Sequence, residues 1–302
     1  MKNPKVSVII PTYNRENLIK RSINSLLSQT NQDFEIIIAD DASTDNTAEV
    51  IKSFQSDKIR YFRLEENSGQ CVSRNRAIQM ARGEYIGFLD SDDEWLPEKI
   101  EKQLSVFETS DDPKLGAVYC GFIEKDEIKN QTNIINRDNL RGDIYKSLLQ
   151  GFCPSTPTMF LVKKKALEKV KGFDENLPTF VDYDLWLRIA KEGFTFDFVN
   201  EPLIVKYEHA GAQIAKDPAK RIEGLQLFLD KWGQEILSNA GEKAYKGFRR
   251  NKMEVLVKSV LENPGNNYRK EMIKSLSLLY EARSRKLKFY IKAIKIYVLG
   301  KS

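Results

Sequence analysis

Short apolar runs alternate with helical patterns through about the first 120 residues of the chain. Four such runs are rich in Ile, Val, Tyr and Phe and start roughly 25 residues apart, at 6–10, 34–39, 59–62 and 85–89. Strands that alternate with helices pair in parallel through right-handed crossovers, so their carboxyl ends meet at one edge of the sheet. The pattern therefore predicts an α/β fold with a mostly parallel central sheet flanked by helices, and a ligand site at that edge.

The pattern changes after about residue 120. Further strands are predicted at three apolar runs, 115–123, 158–162 and 194–199. A helix is predicted over 182–191, and the polar stretch 124–142 predicts a loop. From about residue 216 the pattern is helical to the end, with a turn at 263–265. We therefore predict one domain over 1–215 and a helical C-terminal region over 216–302.

Three local features predict where helices begin and end. Asn46 and Glu49 have the spacing of a capping box. Gly83 stands where a helix ending at Arg82 would need a left-handed terminator. Pro97 suits the first position of the next helix.

The counts of a few residue types exclude several kinds of site. Cys71, Cys120 and Cys153 are odd in number and widely spaced, which predicts reduced thiols in a cytoplasmic protein and no zinc site built on cysteine. His209 is the single histidine, so a two-histidine metal site is excluded. No run approaches about 18 uncharged apolar residues, so no segment is predicted to span a bilayer.

The net charge of +5 comes from one end of the chain. Residues 282–302, the basic tail, hold seven Lys or Arg and no acid, which leaves 41 bases against 43 acids elsewhere. The body is therefore not predicted to bind nucleic acid. As a helix the tail is amphipathic, and it could lie on the anionic inner face of a membrane or pack on the body. A homo-oligomer formed through the C-terminal helices is a further expectation.

Polar residues follow each of the four N-terminal strands. Asp90 and Asp92 belong to an acidic turn at 90–93, and a second acidic turn at 40–45 follows a neighbouring strand. An isolated acidic turn is more often a helix cap. Two of them at one sheet edge would repel each other without a compensating cation, which favours a bound Mg²⁺ or Mn²⁺ that also takes phosphate oxygens.

Five motifs occur in order along the chain. They are VSVIIPTYNR at 6–15, DDASTD at 40–45, SRNRAI at 73–78, DSDD at 90–93 and VDYDLWLR at 181–188. Together, over roughly residues 5–212, they resemble the family 2 inverting glycosyltransferases with the GT-A fold. The resemblance implies a nucleotide-sugar donor, usually a UDP-sugar, and a Mn²⁺ or Mg²⁺ cofactor.

The resemblance also implies roles for particular residues. Asp182 matches the catalytic base of the family, and Asp92 matches its metal ligand. His209 falls where the family often has a histidine that binds the metal or the diphosphate. Five residues match the nucleotide-binding positions: Pro11, Tyr13, Asp41, Arg74 and Asp90. Val181 departs from the family pattern, because a second acid often stands there.

Several of these residues have an ordinary structural alternative. Asp182 and Asp184 both stand where the predicted helix begins, and a helix-capping acid would explain one of them without catalysis. Arg74 could be a helix-surface charge, and His209 a structural or surface histidine. Trp95, beside the acidic turn, could stack on a sugar or pack against the next helix.

The function predicted from these features is metal-dependent, inverting transfer of a sugar from a UDP-sugar to a hydroxyl group. The acceptor would be a glycan, a teichoic acid or a lipid-linked molecule in cell-surface polysaccharide synthesis. The alternative is a non-catalytic nucleotide-sugar-binding or scaffold subunit of a membrane-associated assembly. A receiver-type phosphoacceptor module ranks last, because the acidic motifs extend to Asp182 and such a module has only about 120 residues.

Overall fold

The computed structural model of the chain describes residues 3–135, 139–154, 156–208 and 217–262. Within these ranges the chain forms two compact units. The first is built from 3–145, 153–175 and 182–208, and the second from 146–152, 176–181 and 217–262. The domain boundary predicted between 215 and 216 lies outside the described residues and stays a prediction, as do the turn at 263–265 and the basic tail.

The secondary structure of the described residues includes nine strands and eight α-helices. The strands are β1 (Val6–Thr12), β2 (Phe34–Asp40), β3 (Ile59–Arg63), β4 (Tyr85–Phe88), β5 (Glu94–Trp95), β6 (Leu115–Asp126), β7 (Gln131–Ile135), β8 (Leu161–Lys163) and β9 (Thr195–Glu208). The helices are α1 (Ile19–Leu27), α2 (Thr47–Lys52), α3 (Gln70–Met80), α4 (Lys99–Thr109), α5 (Tyr145–Leu149), α6 (Lys164–Lys169), α7 (Val181–Lys191) and α8 (Pro218–Glu262).

The N-terminal half of the sheet is parallel, in the order β3, β2, β1 and β4. Every residue of β2 is buried, and Val8 and Ile9 of β1 have no exposed surface. Strands covered on both faces read as continuous apolar runs, which is why these four are recognisable in the sequence. The α/β fold class is confirmed, and the carboxyl ends of β1, β2 and β4 lie at one edge.

The other half of the sheet has mixed pairing. It continues from β4 through β8, β6 and β9 to β5. β8 is antiparallel to both β4 and β6, β9 is parallel to β6, and β5 is antiparallel to β9. The parallel pairing predicted from the alternation of strands and helices therefore holds for the first half and for the β6–β9 pair.

The loop predicted at 124–142 is wrong in its first part. β6 continues to Asp126, and β7 pairs antiparallel with its last five residues as a hairpin. Residues 131–134 of β7 are exposed, including Ile134. The hairpin buries little apolar surface, so its strands lack the hydrophobic pattern by which a sequence reveals a strand.

The strand predicted at 158–162 begins later than expected. Pro157–Met159 forms a turn of 3₁₀ helix, and β8 starts at Leu161. The Thr156 side chain accepts a hydrogen bond from the Thr158 amide, and Pro157 suits a first helical position. The capped turn of 3₁₀ helix therefore occupies the first part of the apolar run, and β8 begins only after it.

The three predictions of helix ends are wrong in detail. The Asn46 side chain makes no cap bond to α2 and donates instead to the Glu16 carboxylate, while Asp45 accepts from the Thr47 amide. Pro97 precedes the start of α4 by two residues.

Gly83 has a negative φ, so it is not a left-handed terminator. It lies against β1, where a Cβ atom would come within 2.5 Å of the Ser7 amide nitrogen. Glycine is therefore required at this position for close approach of two backbones.

The second unit has its own apolar core. The ring of Phe228 in α8 lies 5.5 Å from that of Phe180 and 5.8 Å from that of Phe248. Gly241 interrupts α8 with φ 85° and ψ 166°, a conformation that side chains other than glycine rarely adopt. No helix in the described ranges has the length and apolar composition to cross a membrane.

Candidate active site

Asp41 lies at the carboxyl end of β2 and is fixed by backbone amides. Its own amide donates to Thr12 O at 2.8 Å. Its carboxylate accepts from Ser68 N at 2.7 Å and from Gly69 N at 2.8 Å. Asp41 thereby connects the end of β1 with the start of α3. Each carboxylate oxygen has a second lone pair, so the group can still accept a hydrogen bond from a ligand.

Tyr13 and Pro11 lie at the end of β1. The Tyr13 side chain is 41% exposed, whereas the neighbouring Thr12 is buried. Asn14, with φ 51°, accepts from the Thr44 amide and so fixes the backbone after β1 to the second acidic turn. The two loops therefore form one wall with an accessible aromatic ring.

Arg74 is a buried cation and not a helix-surface charge. It is 2% exposed, and its Nη2 donates to Asp90 Oδ1 at 2.7 Å. Its Nε and Nη1 atoms are also buried, and neither has a hydrogen-bond partner among the residues that the structure describes. A buried donor without a partner is costly, so the two N–H groups are suited to binding an anionic ligand.

The acidic turn is held from several sides. Asp90 Oδ2 accepts from Thr156 Oγ1 at 3.2 Å, and the Asp90 amide donates to Thr158 Oγ1 at 3.3 Å. Asp93 is 2% exposed, and its Oδ1 accepts from the Tyr207 amide at 3.1 Å. Burial and the neighbouring charges of Asp90 and Asp92 raise the pKa of Asp93 well above its usual range. The turn therefore carries excess negative charge, which a cation would offset.

Asp182 and Asp184 in the first turn of α7 have different surroundings. Asp184 is fully buried and accepts from Arg188 Nε at 2.7 Å, which gives it a structural role within the helix. The buried Asp182 Oδ1 has no hydrogen-bond partner in the described part of the chain. Burial raises the pKa of Asp182 to about 7, against the lowering effect of Arg74 and with a raising effect of Asp90.

The structure therefore brings three of the predicted site residues together, Arg74, Asp90 and Asp182. Arg74 and Asp90 form an ion pair, and both act electrostatically on Asp182. Asp92 lies in the same turn as Asp90 and is half-buried. His209 lies outside the described residues.

Two tryptophans have packing roles. Trp95 is 2% exposed, and Lys99 Nζ lies 3.8 Å from the centre of its ring. Trp186 has no exposed surface and stacks on Phe160 with ring centres 3.8 Å apart. Trp95 therefore packs in the interior rather than providing a platform for a sugar.

Sequence reasoning missed Lys206, Thr156 and Thr158. The positive charge of Lys206 lowers the pKa of both Asp93 and Asp182, so Lys206 contributes to the electrostatics of the site. The one sequence feature that could have indicated Lys206 is its position directly after three apolar residues in β9. Thr158 begins the segment predicted as a strand, and Thr156 lies two residues before it; neither position indicates a contact with Asp90.

The oxygen donors of the acidic turn fit a hard divalent cation. Within the described ranges, no group of three or more His, Cys, Asp or Glu residues is arranged to hold a metal. Mg²⁺ and similar ions that bind with a nucleotide commonly use one or two protein carboxylates and complete their shell with phosphate oxygens and water. The crowded carboxylates of the acidic turn meet that requirement.

Comparisons with known proteins agree with this architecture. The chain has 35% identity over 214 residues to an uncharacterized glycosyltransferase of Methanocaldococcus jannaschii, covering 68% of this chain and 71% of that one. It has 46% identity over 103 residues to TuaG of Bacillus subtilis, whose name assigns it to teichuronic acid biosynthesis. That second match covers 33% of this chain and 41% of TuaG.

Two solved structures share the fold. S. aureus TarS 1–349 in complex with UDP-GlcNAc superposes with a TM-score of 0.60 at 18% identity, covering 98% of this chain and 92% of that one. The mannosyltransferase PcManGT of Pyrobaculum calidifontis, in complex with GDP-Man and Mn²⁺, has a TM-score of 0.57 at 20% identity. That match covers 98% of this chain and 82% of the mannosyltransferase.

The family assignment follows from the sequence match and agrees with the fold. Residues 7–171 match Glycosyl transferase family 2, and this range contains four of the five motifs almost completely. The range includes the parallel half of the sheet, Arg74 and the acidic turn. The chain belongs to glycosyl transferase family 2 and is a glycosyltransferase.

Proposed function

We propose that the chain transfers a sugar from a UDP-sugar to an acceptor hydroxyl group with inversion at the anomeric carbon. The observation that carries this proposal is the environment of Asp182. Its buried Oδ1 has no hydrogen-bond partner among the described residues, and burial raises its pKa to about 7. The charges of Arg74 and Asp90 also act on it. A base with that pKa next to a cation with unused N–H groups suits displacement of a diphosphate by a hydroxyl.

Asp182 would act as the general base. In its ionised form it accepts the proton of the acceptor hydroxyl as the oxygen attacks the anomeric carbon. Attack from the face opposite the leaving group needs only one base and no covalent intermediate, so the configuration inverts.

Arg74 would stabilise the departing diphosphate. Its Nε and Nη1 are the donors left without a partner in the described residues, and charge-assisted hydrogen bonds to phosphate oxygens are strong. The charge of Lys206, which already acts on Asp93 and Asp182, would support the same leaving group.

Asp92 would hold the divalent cation, together with His209. When bound, Mn²⁺ or Mg²⁺ acts as a Lewis acid on the diphosphate. Asp41, Pro11 and Tyr13 would form the base and ribose pocket, and Asp90 would face the ribose.

The relatives support a nucleotide-sugar donor and an envelope acceptor. TarS is solved with UDP-GlcNAc, PcManGT with GDP-Man and Mn²⁺, and the name of TuaG refers to teichuronic acid synthesis. We therefore extend the proposal to a glycan, teichoic acid or lipid-linked acceptor in cell-surface polysaccharide synthesis.

A donor screen tests the proposal. The chain is incubated with UDP-, GDP- and dTDP-sugars and Mn²⁺, and release of the nucleoside diphosphate is followed, since transferases slowly pass sugar to water. We expect release from at least one UDP-sugar and its loss when EDTA removes the metal. Release from GDP- or dTDP-sugars alone would contradict the choice of donor. Tight binding of UDP and Mn²⁺ without turnover on any donor or acceptor would instead favour a non-catalytic subunit.

A further inference from the structure

Two side chains of α1 hold the backbone of the acidic turn. Arg21 Nη2 donates to Asp92 O at 2.8 Å. Ser22 Oγ donates to Asp93 O at 2.8 Å and to Asp90 O at 3.3 Å. The path of the backbone through the turn, and hence the direction of its carboxylates, depends on α1.

Arg21 also contacts three other segments of the first unit. Its Nη1 donates to the Glu127 carboxylate at 3.0 Å, just beyond the end of β6. Its Nε lies 3.8 Å from Glu94 Oε1. The guanidinium carbon lies 3.4 Å from the centre of the Tyr207 ring near the end of β9. One side chain therefore connects α1, the acidic turn, the β6–β7 hairpin and β9.

Tyr207 completes the connection between the acidic turn and β9. Its amide donates to Asp93 Oδ1 at 3.1 Å, and its hydroxyl donates to Glu94 Oε2 at 3.1 Å. These two bonds fix the end of β9 against the acidic turn and β5.

Only an arginine can make this set of contacts. The planar guanidinium presents N–H donors along its edge while its face stacks on an aromatic ring. A lysine at the same position would keep the charge, but its ammonium group could not stack on Tyr207 and bond to Asp92 and Glu127 together. The contacts of Arg21 thus have a geometric requirement beyond charge.

We propose that Arg21 is a positioning residue that sets the acidic turn against the end of β9 and thereby determines the affinity of the site for a divalent cation bound with a nucleoside diphosphate. The inference rests on the proposed function, because that function places the cation at Asp92. Groups that orient metal ligands typically change metal affinity by about 10- to 100-fold when removed. Arg21 acts through the backbone of Asp92, so the lower end of that range applies.

The test measures Mn²⁺ binding directly by calorimetry, with the full chain saturated with UDP. The variants are Arg21→Met, which removes the guanidinium, and Arg21→Lys, which keeps the cation and most of the stem. Lys20→Met is the matched control, since Lys20 is the exposed neighbour of Arg21 in α1. We expect the Mn²⁺ dissociation constant to rise about tenfold in Arg21→Met and at least threefold in Arg21→Lys. It should stay within twofold in Lys20→Met, and UDP binding without metal should not change in any of the three.

The outcomes separate this inference from the function on which it rests. The proposal is overturned if Arg21→Met folds and has a lower melting temperature but binds Mn²⁺ with wild-type affinity. Arg21 would then have a purely structural role. If Arg21→Met does not fold, wild-type Mn²⁺ affinity in Arg21→Lys overturns it equally. A wild-type chain that binds UDP but no Mn²⁺ would reject the metal-dependent function itself, and the inference with it.

Discussion

At the scale of single residues, Asp182 and Asp184 illustrate how two acids in one helical turn take different roles. Asp184 accepts a hydrogen bond from Arg188, whereas the buried Oδ1 of Asp182 has no hydrogen-bond partner among the described residues. A buried carboxylate without partners destabilises the fold and is retained where a function uses it. The contrast favours Asp182 as the reactive acid and Asp184 as the structural one.

The first prediction uses this contrast. Asp182→Asn should lower the rate of sugar transfer by about 100- to 10,000-fold, the usual contribution of a general base, while UDP and Mn²⁺ still bind. The rate is measured with saturating donor, and binding by calorimetry. Asp184→Asn is the matched control: it should lower the melting temperature, because it leaves Arg188 without its buried partner. Full activity in Asp182→Asn would remove this residue from the mechanism.

A second prediction concerns pH. Because the pKa of Asp182 is raised to about 7, the ionised base should be lost as the pH falls through that value, and kcat/KM should fall about tenfold per pH unit below it. Between about pH 4 and 7, the folded state keeps the Asp182 proton, whereas the unfolded state has already lost it. The free energy of unfolding therefore falls through this group as the pH rises across that window. Asp182→Asn should therefore melt higher than the wild type at pH 8. A flat rate profile between pH 5.5 and 8 would contradict the assignment.

The third prediction concerns Lys99, a fully buried lysine with no carboxylate contact among its recorded interactions. Its ammonium group donates to Gln103 and lies over the Trp95 ring, and burial lowers its pKa to about 8. The unfolded chain therefore binds one more proton than the folded chain between about pH 8 and 10.5, so stability contributed by Lys99 rises with pH across that window.

Urea unfolding of the wild type and of Lys99→Met at pH 8 and pH 10.5 measures this effect. The difference between the two chains should change by up to about 3 kcal/mol in favour of the wild type as the pH rises. Lys20→Met, at an exposed position of α1, serves as the control and should show no such change. Parallel pH dependence in the wild type and Lys99→Met would contradict the prediction.

At the scale of elements, Gly241 and Gly247 offer a matched pair within α8. Gly241 has a positive φ of 85°, whereas Gly247 has helical geometry and open space where a Cβ would lie. Gly241→Ala should destabilise the protein by about 1–3 kcal/mol, because alanine is strained in that region of φ and ψ. Gly247→Ala should stabilise it by about 0.5–1 kcal/mol through helix propensity.

Thermal unfolding followed by circular dichroism checks both substitutions. The two changes add the same methyl group to the same helix, so any general effect of that group cancels between them. A Gly241→Ala variant as stable as the wild type would contradict the prediction. It would mean that α8 does not need the positive φ at residue 241 for its stability.

The elements that the sequence predicts well are those whose residues are buried on both faces. β1, β2 and β4 are continuous apolar runs, and helix-period spacing locates α4 and α7. β5 has two residues and β7 is exposed, so neither has a pattern that distinguishes it from a loop. Gly83 was located correctly as a special position but for the wrong reason, because its requirement comes from β1, 76 residues earlier, and not from its own helix.

The residues of the candidate site also fall into those that the sequence predicts and those that it does not. The acids and Arg74 follow strand ends, and parallel pairing dictates that such ends meet. Lys206 lies within a strand and acts on the site through its charge. Arg21 lies within a helix and reaches the site through contacts with residues far away in the chain. Which side chains converge from such positions depends on packing, and a single sequence does not record it.

At the scale of the whole molecule, the charge of the chain is divided unequally. The body is nearly neutral overall, whereas the basic tail holds seven bases and no acid. Carboxylates that hold a cation and bases that bind an anionic surface require opposite local charges, and this division would let one chain have both. The tail lies outside the described residues, so its role rests on the sequence and is a proposal.

The last prediction tests that proposal on the full chain. Replacing Lys286, Lys288, Lys292 and Lys295 by Gln should lower binding to vesicles containing phosphatidylglycerol by more than tenfold, because each base near an anionic surface contributes about 1 kcal/mol. Co-sedimentation measures the bound fraction, and raising the salt concentration should weaken binding of the wild type in the same direction. The control variant replaces four exposed lysines elsewhere with Gln: Lys20, Lys52, Lys114 and Lys243. Equal loss in both variants would indicate a general effect of net charge, whereas no loss in the tail variant would favour a tail that packs on protein.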